Sequence, residues 1–214
     1  MKRYSLGDFP EVAGYVELTF RPEDETLREV RERCAREGLP DIALSPMDAL
    51  HLEVLTRACG ARRAVEIGTL GGYSGIALAR GLAPGGTLDT FEIDPHHAEV
   101  ARESFRRAGV LDLVEIHVGP ALEKLREVSG PIDLVFLDAD KEGYPEYLSW
   151  AAERLRIGGL VIGDNTFAWG GIVTGKDPGA NALRAFNREL ASGGRFRATL
   201  LPTGEGLTVG VKIR

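Results

Sequence analysis

The chain has 214 residues, 43% of them hydrophobic and 27% charged, with a formal net charge of −6. That length suits one α/β domain with a short extension and a full core. The acidic balance excludes a broad nucleic-acid footprint, which needs a basic stripe, and no apolar run reaches the roughly 18 residues of a bilayer span.

Residues 1–14 lack a basic region followed by an apolar stretch, so no leader is expected and a cytoplasmic location is the default. Two cysteines, Cys34 and Cys59, fall in helix-like segments outside any CxxC or Cys/His cluster. They read as structural thiols in a reducing compartment. With no internal repeat and no Pro/Ser-rich linker, the chain reads as a single domain, with a helical segment over 1–60 and an α/β core over 61–214.

The first part carries no strong strand signal. A helix is expected over 23–38, closed by Gly38 and Pro40. A second starts at Ser45-Pro46-Met47-Asp48, with Ser45 as N-cap, Pro46 in the first helical position and Asp48 as the acid at the third. Leu50, Leu52, Val54, Leu55 and Ala58 are expected to form its apolar side. From residue 63 strands and helices alternate. Apolar runs over 64–67, 87–93, 113–118, 132–137 and 160–162 are separated by helical stretches over 73–81, 95–108, 121–128 and 144–155. That alternation predicts a parallel sheet with right-handed crossovers, and Leu134-Val135-Phe136-Leu137 is apolar on both faces, as a buried parallel strand should be. The tail differs: a helix over 180–191, then β-like runs over 196–201 and 207–213 joined by a turn too short for a crossover helix. An antiparallel hairpin therefore ends an otherwise parallel sheet.

In an open α/β sheet ligands bind beyond the carboxyl ends of the strands. After the first strand come Gly68-Thr69-Leu70-Gly71-Gly72-Tyr73-Ser74, where the glycines permit a tight turn and close backbone approach. The spacing is not GxGxxG, and Glu66, just ahead of the turn, would repel a pyrophosphate but suit a cationic ligand or its amino group. The second strand ends in Glu92-Ile93-Asp94, and a carboxylate there can accept both hydroxyls of a ribose. Glu92 is the better placed; Asp94, ahead of Pro95, reads as a helix N-cap. His96 and His97 follow but do not share a helix face, so they are not expected to form a metal site. The third strand leads to Gly119-Pro120-Ala121-Leu122, where backbone could meet an adenine ring. The fourth ends in Asp138-Ala139-Asp140-Lys141 and the fifth in Asp164-Asn165-Thr166. Asp138, Asp164 and Asn165 form an all-oxygen set of the kind that hard divalent ions prefer, Mg²⁺ first and Ca²⁺ or Mn²⁺ as alternatives. Capping and turn roles would explain either cluster alone; their place at neighbouring strand ends favours a metal. Lys141, beside such a site, could have its pKa lowered and act as a general base.

These residues resemble the cation-dependent class I O-methyltransferases, the group of catechol and caffeoyl-CoA O-methyltransferases. The resemblance runs from about Ser45 to the C-terminus. It rests on Val65-Glu66-Ile67-Gly68-Thr69 with Gly72-Tyr73-Ser74, on Val135-Phe136-Leu137-Asp138-Ala139-Asp140-Lys141 with Tyr144, and on Asp164-Asn165-Thr166. It implies a Rossmann-like, seven-stranded sheet with the last strand antiparallel and helices on both faces. It implies that Leu44, Glu66, Gly68, Thr69, Tyr73, Ser74, Glu92, Ala121 and Asp138 line an S-adenosylmethionine site. It implies that Asp138, Asp164 and Asn165 bind the metal, that Lys141 is the base, with Asp138 beside it in the catalytic set, and that the chain is a homodimer. The implied acceptor is a small vicinal dihydroxy aromatic, with no nucleic-acid or membrane partner. Where family members often carry an aromatic, two residues after Asp-Asn-Thr, this chain has Ala168, flanked by Phe167 and Trp169; Trp169 is the candidate to fill that space. The Gly-rich stretch over 167–180 is expected to cover the acceptor. No basic site for a coenzyme A tail is evident. Competing readings are a non-catechol acceptor, an NAD-dependent oxidoreductase, an RNA methyltransferase, a ligand sensor without catalysis and a metal-dependent glycosyltransferase. The absent GxGxxG weighs against the oxidoreductase and net charge against the RNA enzyme. Lys141 beside the metal set weighs against the sensor, and Asp164-Asn165 against the glycosyltransferase.

Overall fold

A computed structural model describes residues 10–214. Most of the segment on which the leader expectation rests, residues 1–9, lies outside the described residues. Three helices lead the chain: α1 (Pro10–Phe20), α2 (Glu25–Arg36) and α3 (Pro46–Ala58). Then follow β1 (Arg63–Ile67), α4 (Tyr73–Gly81), β2 (Thr87–Glu92), α5 (Pro95–Arg107), β3 (Val114–Val118), α6 (Ala121–Lys124), β4 (Ile132–Leu137), α7 (Tyr144–Arg154), β5 (Leu155–Gly163), α8 (Pro178–Ser192), β6 (Phe196–Leu201) and β7 (Leu207–Lys212).

The strands form one seven-stranded sheet in the order β3-β2-β1-β4-β5-β7-β6. All pairings from β3 to β5 are parallel, while β7 runs antiparallel to both β5 and β6. The chain winds outward from β1 in one direction and from β4 in the other, so the switch point lies between their carboxyl ends. Alternate residues of β4 enter different cores. Leu134 and Phe136 pack with α2, α3, α4 and α5 on one face, and Val135 and Leu137 with α7 and α8 on the other. The two-faced burial expected of a parallel strand is thus present.

Local signals place the helix starts. Asp24 accepts from Leu27 N, Ser45 Oγ from Asp48 N and Asp177 from Ala180 N, each satisfying a donor that the first turn leaves free. Asp94 caps α5 through the amides of His96 and His97.

Helix α1 lies within the segment expected to be helical and has no separate signal, since Tyr15, Leu18 and Phe20 stay exposed and give no inward stripe. Two expectations need correction. Helix α3 buries Leu52 and half-buries Leu50 and Leu55 as expected, but it also buries Ala49 and Thr56 and leaves Val54 and Ala58 exposed, because α4 crosses it on that side. Strand β5 begins at Leu155, ahead of the expected 160, since Gly158 and Gly159 hide the strand signal while the register shifts past them.

The α3–α4 crossing depends on Gly81, where an added Cβ would lie 2.6 Å from both Glu53 O and Thr56 Cβ. Because one of these is backbone, Gly81→Ala should destabilise the fold by about 1–3 kcal/mol in chemical denaturation. An unchanged midpoint would show that the helices part without cost.

Candidate active site

One cavity, with a volume of about 900 Å³, opens at the carboxyl ends of β1, β2, β4 and β5. Its floor is the β1–α4 turn. Gly68 has φ +98°, and a Cβ there would stand 2.1 Å from Asp138 O, so the turn can lie against the end of β4 only without a side chain. Thr69, Tyr73 and Ser74 line this part. Glu92 is nearly buried; its Oε2 accepts from Leu70 N at 2.7 Å and Thr69 N at 3.3 Å, and its Oε1 from Asp94 N at 3.0 Å. Gly119, Pro120, Ala121 and Leu122 form one wall and the segment from Pro40 to Ser45 another.

Of the residues implied for the cofactor, Leu44, Gly68, Thr69, Tyr73, Ser74, Glu92, Ala121 and Asp138 all line this cavity. Glu66 is absent from the lining. It is fully buried, with Oε1 accepting from Ser74 Oγ and Oε2 from Thr90 Oγ1, each at 2.6 Å. Strand alternation turns Glu66 beneath the turn, where its carboxylate holds the hydroxyl of Ser74, a residue that lines the cavity.

The second half of the cavity is carboxylate-rich. Lys141 Nζ donates to Asp138 Oδ1 at 3.1 Å and to the Tyr144 hydroxyl at 2.9 Å. That hydroxyl lies 2.8 Å from Leu137 O and 2.9 Å from Asp164 O, so its one hydrogen serves the ends of β4 and β5 together. Burial, and then the nearby aspartates, hold the Tyr144 phenol well above its ordinary range, so it keeps that hydrogen. Asp164 is pushed up to about 7 by burial and by the charge of Asp138. Asp138 is raised as well, by burial against the opposing pull of Lys141. The buried Asp164 Oδ1 has no hydrogen-bond partner. Two carboxylates with one lysine and an orphaned oxygen form an electron-rich site that is short of positive charge, and oxygen donors of this kind fit a hard divalent cation.

Over residues 17–213 the chain matches the family model described as O-methyltransferase. The chain belongs to this family. It is 44% identical over 177 residues to a catechol O-methyltransferase of Mycobacterium tuberculosis, covering 82% of this chain and 80% of that one. It is 37% identical over 199 residues to a catechol O-methyltransferase of Niastella koreensis, covering 90% of each. An O-methyltransferase from Bacillus cereus, solved in complex with SAH, superposes with a TM-score of 0.87 at 38% identity, covering 94% of this chain and 97% of that one.

Several residues of this O-methyltransferase's cavity carried no signal in the sequence. Asp48, read only as a helix-capping acid, lines it, as do Asp41, Ile42, Tyr147 and Glu205. So does His97, whose Nδ1 lies 3.6 Å from Glu92 Oε1. Trp169 lines the cavity and remains exposed, in a left-handed conformation at φ 48°. Ala168 instead packs beside the core under α8. Cys34 borders the cavity with its thiol pushed up by burial, and neither cysteine is bonded. Outside the cavity, Asp89, Glu115 and His117 bring ligand-type atoms within 4.8 Å of one another, but Asp89 accepts directly from His117 at 2.8 Å and the pair satisfies itself.

Glu66 has a consequence for pH. Burial pushes its carboxyl up to about 8 from the ordinary 4.5, against the hydrogen bonds from Ser74 and Thr90. Between those values the folded chain holds a proton that the unfolded chain releases, so this group's contribution to stability falls as pH rises through the window. Glu66→Gln removes the titration. The unfolding free energy of the wild type relative to this variant should drop between about pH 5 and pH 8, and a constant difference would refute the assignment.

Proposed function

We propose that this S-adenosylmethionine-dependent O-methyltransferase methylates one hydroxyl of a small vicinal dihydroxy aromatic, with the aid of a divalent cation. The carrying observation is the buried, unpartnered Asp164 Oδ1 beside Asp138 and Lys141. Asp138, Asp164 and Asn165 are the residues that would hold the cation, Mg²⁺ by donor type with Ca²⁺ or Mn²⁺ as alternatives. A bound divalent ion supplies a Lewis acid that favours loss of a phenolic proton. S-adenosylmethionine supplies a methyl group already activated on sulfonium sulfur.

The chain's own residues then divide the work. Glu92 is the ribose acceptor: a carboxylate has about four lone-pair sites, and its three backbone partners leave room for another donor. Ser74 is the polar contact of the turn, with Glu66 fixing the direction of its hydroxyl. Gly68 lets that turn approach the cofactor closely, and Leu44, Thr69, Tyr73 and Ala121 complete its enclosure. Lys141 takes the acceptor's proton at Nζ. Asp138 and Tyr144 occupy two of the amine's hydrogen-bonding directions and leave the third for the cavity. With both reactants held, positioning supplies most of the remaining rate enhancement. Trp169 and the segment around it form the rim on the acceptor side. The lining carboxylates outnumber Lys141 and His97, which favours an uncharged acceptor over an anionic one such as a coenzyme A thioester. A homodimer is the arrangement that would cover Tyr15, Leu18 and Phe20 of α1, exposed on the isolated chain.

Methyl transfer to catechol should require Mg²⁺, vanish with excess chelator and return on metal addition, and Asp164→Ala should lower it by about a hundredfold or more. Transfer that survives chelation would remove the cation from the mechanism and leave the methyl transfer standing. Sedimentation equilibrium should give twice the 23.2 kDa chain mass; a monomer at micromolar concentration would overturn the dimer.

A further inference from the structure

The segment over residues 39–45 forms one wall of the cavity without helix or strand to hold it. Its own backbone bonds are few: Leu39 N donates to Cys34 O, and Ile42 N to Pro40 O. Leu39 and Leu44 point into the core, and Ile42 is exposed. What fixes its far end is a side chain from another element. Arg31, on α2, donates from its terminal nitrogen to Leu44 O at 2.5 Å.

The same guanidinium reaches two more places. Its Nε donates to Glu23 Oε1 at 2.8 Å, and its plane lies over the Tyr73 ring, 4.2 Å from the centroid. Tyr73 closes the circuit by donating its hydroxyl to the same Glu23 oxygen at 2.7 Å. Burial, followed by the hydrogen bond to Glu23, keeps the Tyr73 phenol above its ordinary range, so it remains a donor. Tyr73 is the first residue of α4, directly after the glycine turn, and both it and Leu44 line the cavity. A second contact ties α2 to the turn: a Cβ on Gly71 would fall 2.0 Å from Cys34 Sγ. One charged fork therefore joins the wall formed by the 39–45 segment to the start of α4 at the floor of the cavity. Charge-assisted bonds of this kind are stronger and more directional than neutral ones.

We propose that Arg31, held by Glu23, is a positioning residue that sets the affinity for S-adenosylmethionine by locking the 39–45 segment to the start of α4. It touches no reacting atom. It acts before chemistry, by removing conformations of the segment that would otherwise have to be ordered on binding. The inference rests on the reading of this cavity as the cofactor site.

The test compares wild type with Arg31→Met, Arg31→Lys and Glu92→Gln, using calorimetric titration with S-adenosylhomocysteine, thermal unfolding and steady-state kinetics. Arg31→Met keeps the stem and removes the donors. It should raise the dissociation constant and the KM for S-adenosylmethionine by about tenfold, while kcat at saturating cofactor changes by less than about twofold. Arg31→Lys should recover part of the affinity. A fall in Tm with an unchanged dissociation constant would mean that Arg31 only stabilises the fold, and would overturn the proposal. Should Arg31→Met fail to fold, Tyr73→Phe removes a single hydroxyl of the circuit and should weaken binding by about threefold; unchanged affinity there overturns the proposal equally. Glu92→Gln separates the two readings. Binding that it leaves intact refutes the cavity as the cofactor site. Binding that it weakens, with Arg31→Met at wild-type affinity, refutes the clamp alone.

Discussion

The hydroxyl of Tyr144 is where the fold and the site meet. It is fully buried, takes a hydrogen bond from Lys141 and shares its own hydrogen between the carbonyls of Leu137 and Asp164. Those carbonyls end β4 and follow β5, the strands that carry Asp138 and Asp164. A buried polar group must be satisfied, and this one is satisfied only when both strand ends and the lysine stand in their observed places. The cost of burying two carboxylates so close together is visible in their raised pKa values. Lys141 offsets part of it and a divalent cation would offset more. The carboxylate pair is thus costly to bury alone, and a bound cation would relieve that cost.

The other half of the cavity obeys a different constraint, that of close approach. The β1–α4 turn passes the end of β4 with no room for a side chain at Gly68. Beneath it, Glu66 organises a chain of hydroxyls through Ser74, Thr90 and Thr69. That carboxylate accepts from Ser74, which lines the cavity, and full burial rather than any neighbouring charge is the main cause of its shifted protonation.

Much of the architecture was legible because it follows short-range rules. Apolar runs separated by capped helices locate β1 to β4 within a residue or two. Ser45-Pro46 and Asp94-Pro95 mark their helix starts by hydrogen bonds made within the first turn. Elements without such marks gave no separate signal or were misjudged. Helix α1 presents its large apolar residues to the outside, and β5 hides behind two glycines. The buried side of α3 depends on where α4 crosses it, which no local pattern encodes.

The sequence by itself determined the order of strands and helices, the family, the candidate ligands Asp138, Asp164 and Asn165 and the candidate base Lys141, since these follow strand ends that periodicity locates. Only the tertiary structure decided which of the expected residues face the cavity. It turned Glu66 inward, brought in Asp48, His97 and Glu205, and joined Glu23, Arg31, Leu44 and Tyr73 into one circuit. The physical reason is the range of the forces. Caps, turns and strand alternation act over a few residues, whereas a guanidinium shared among a helix, a loop and a turn has a partner only once the core has packed those elements against each other.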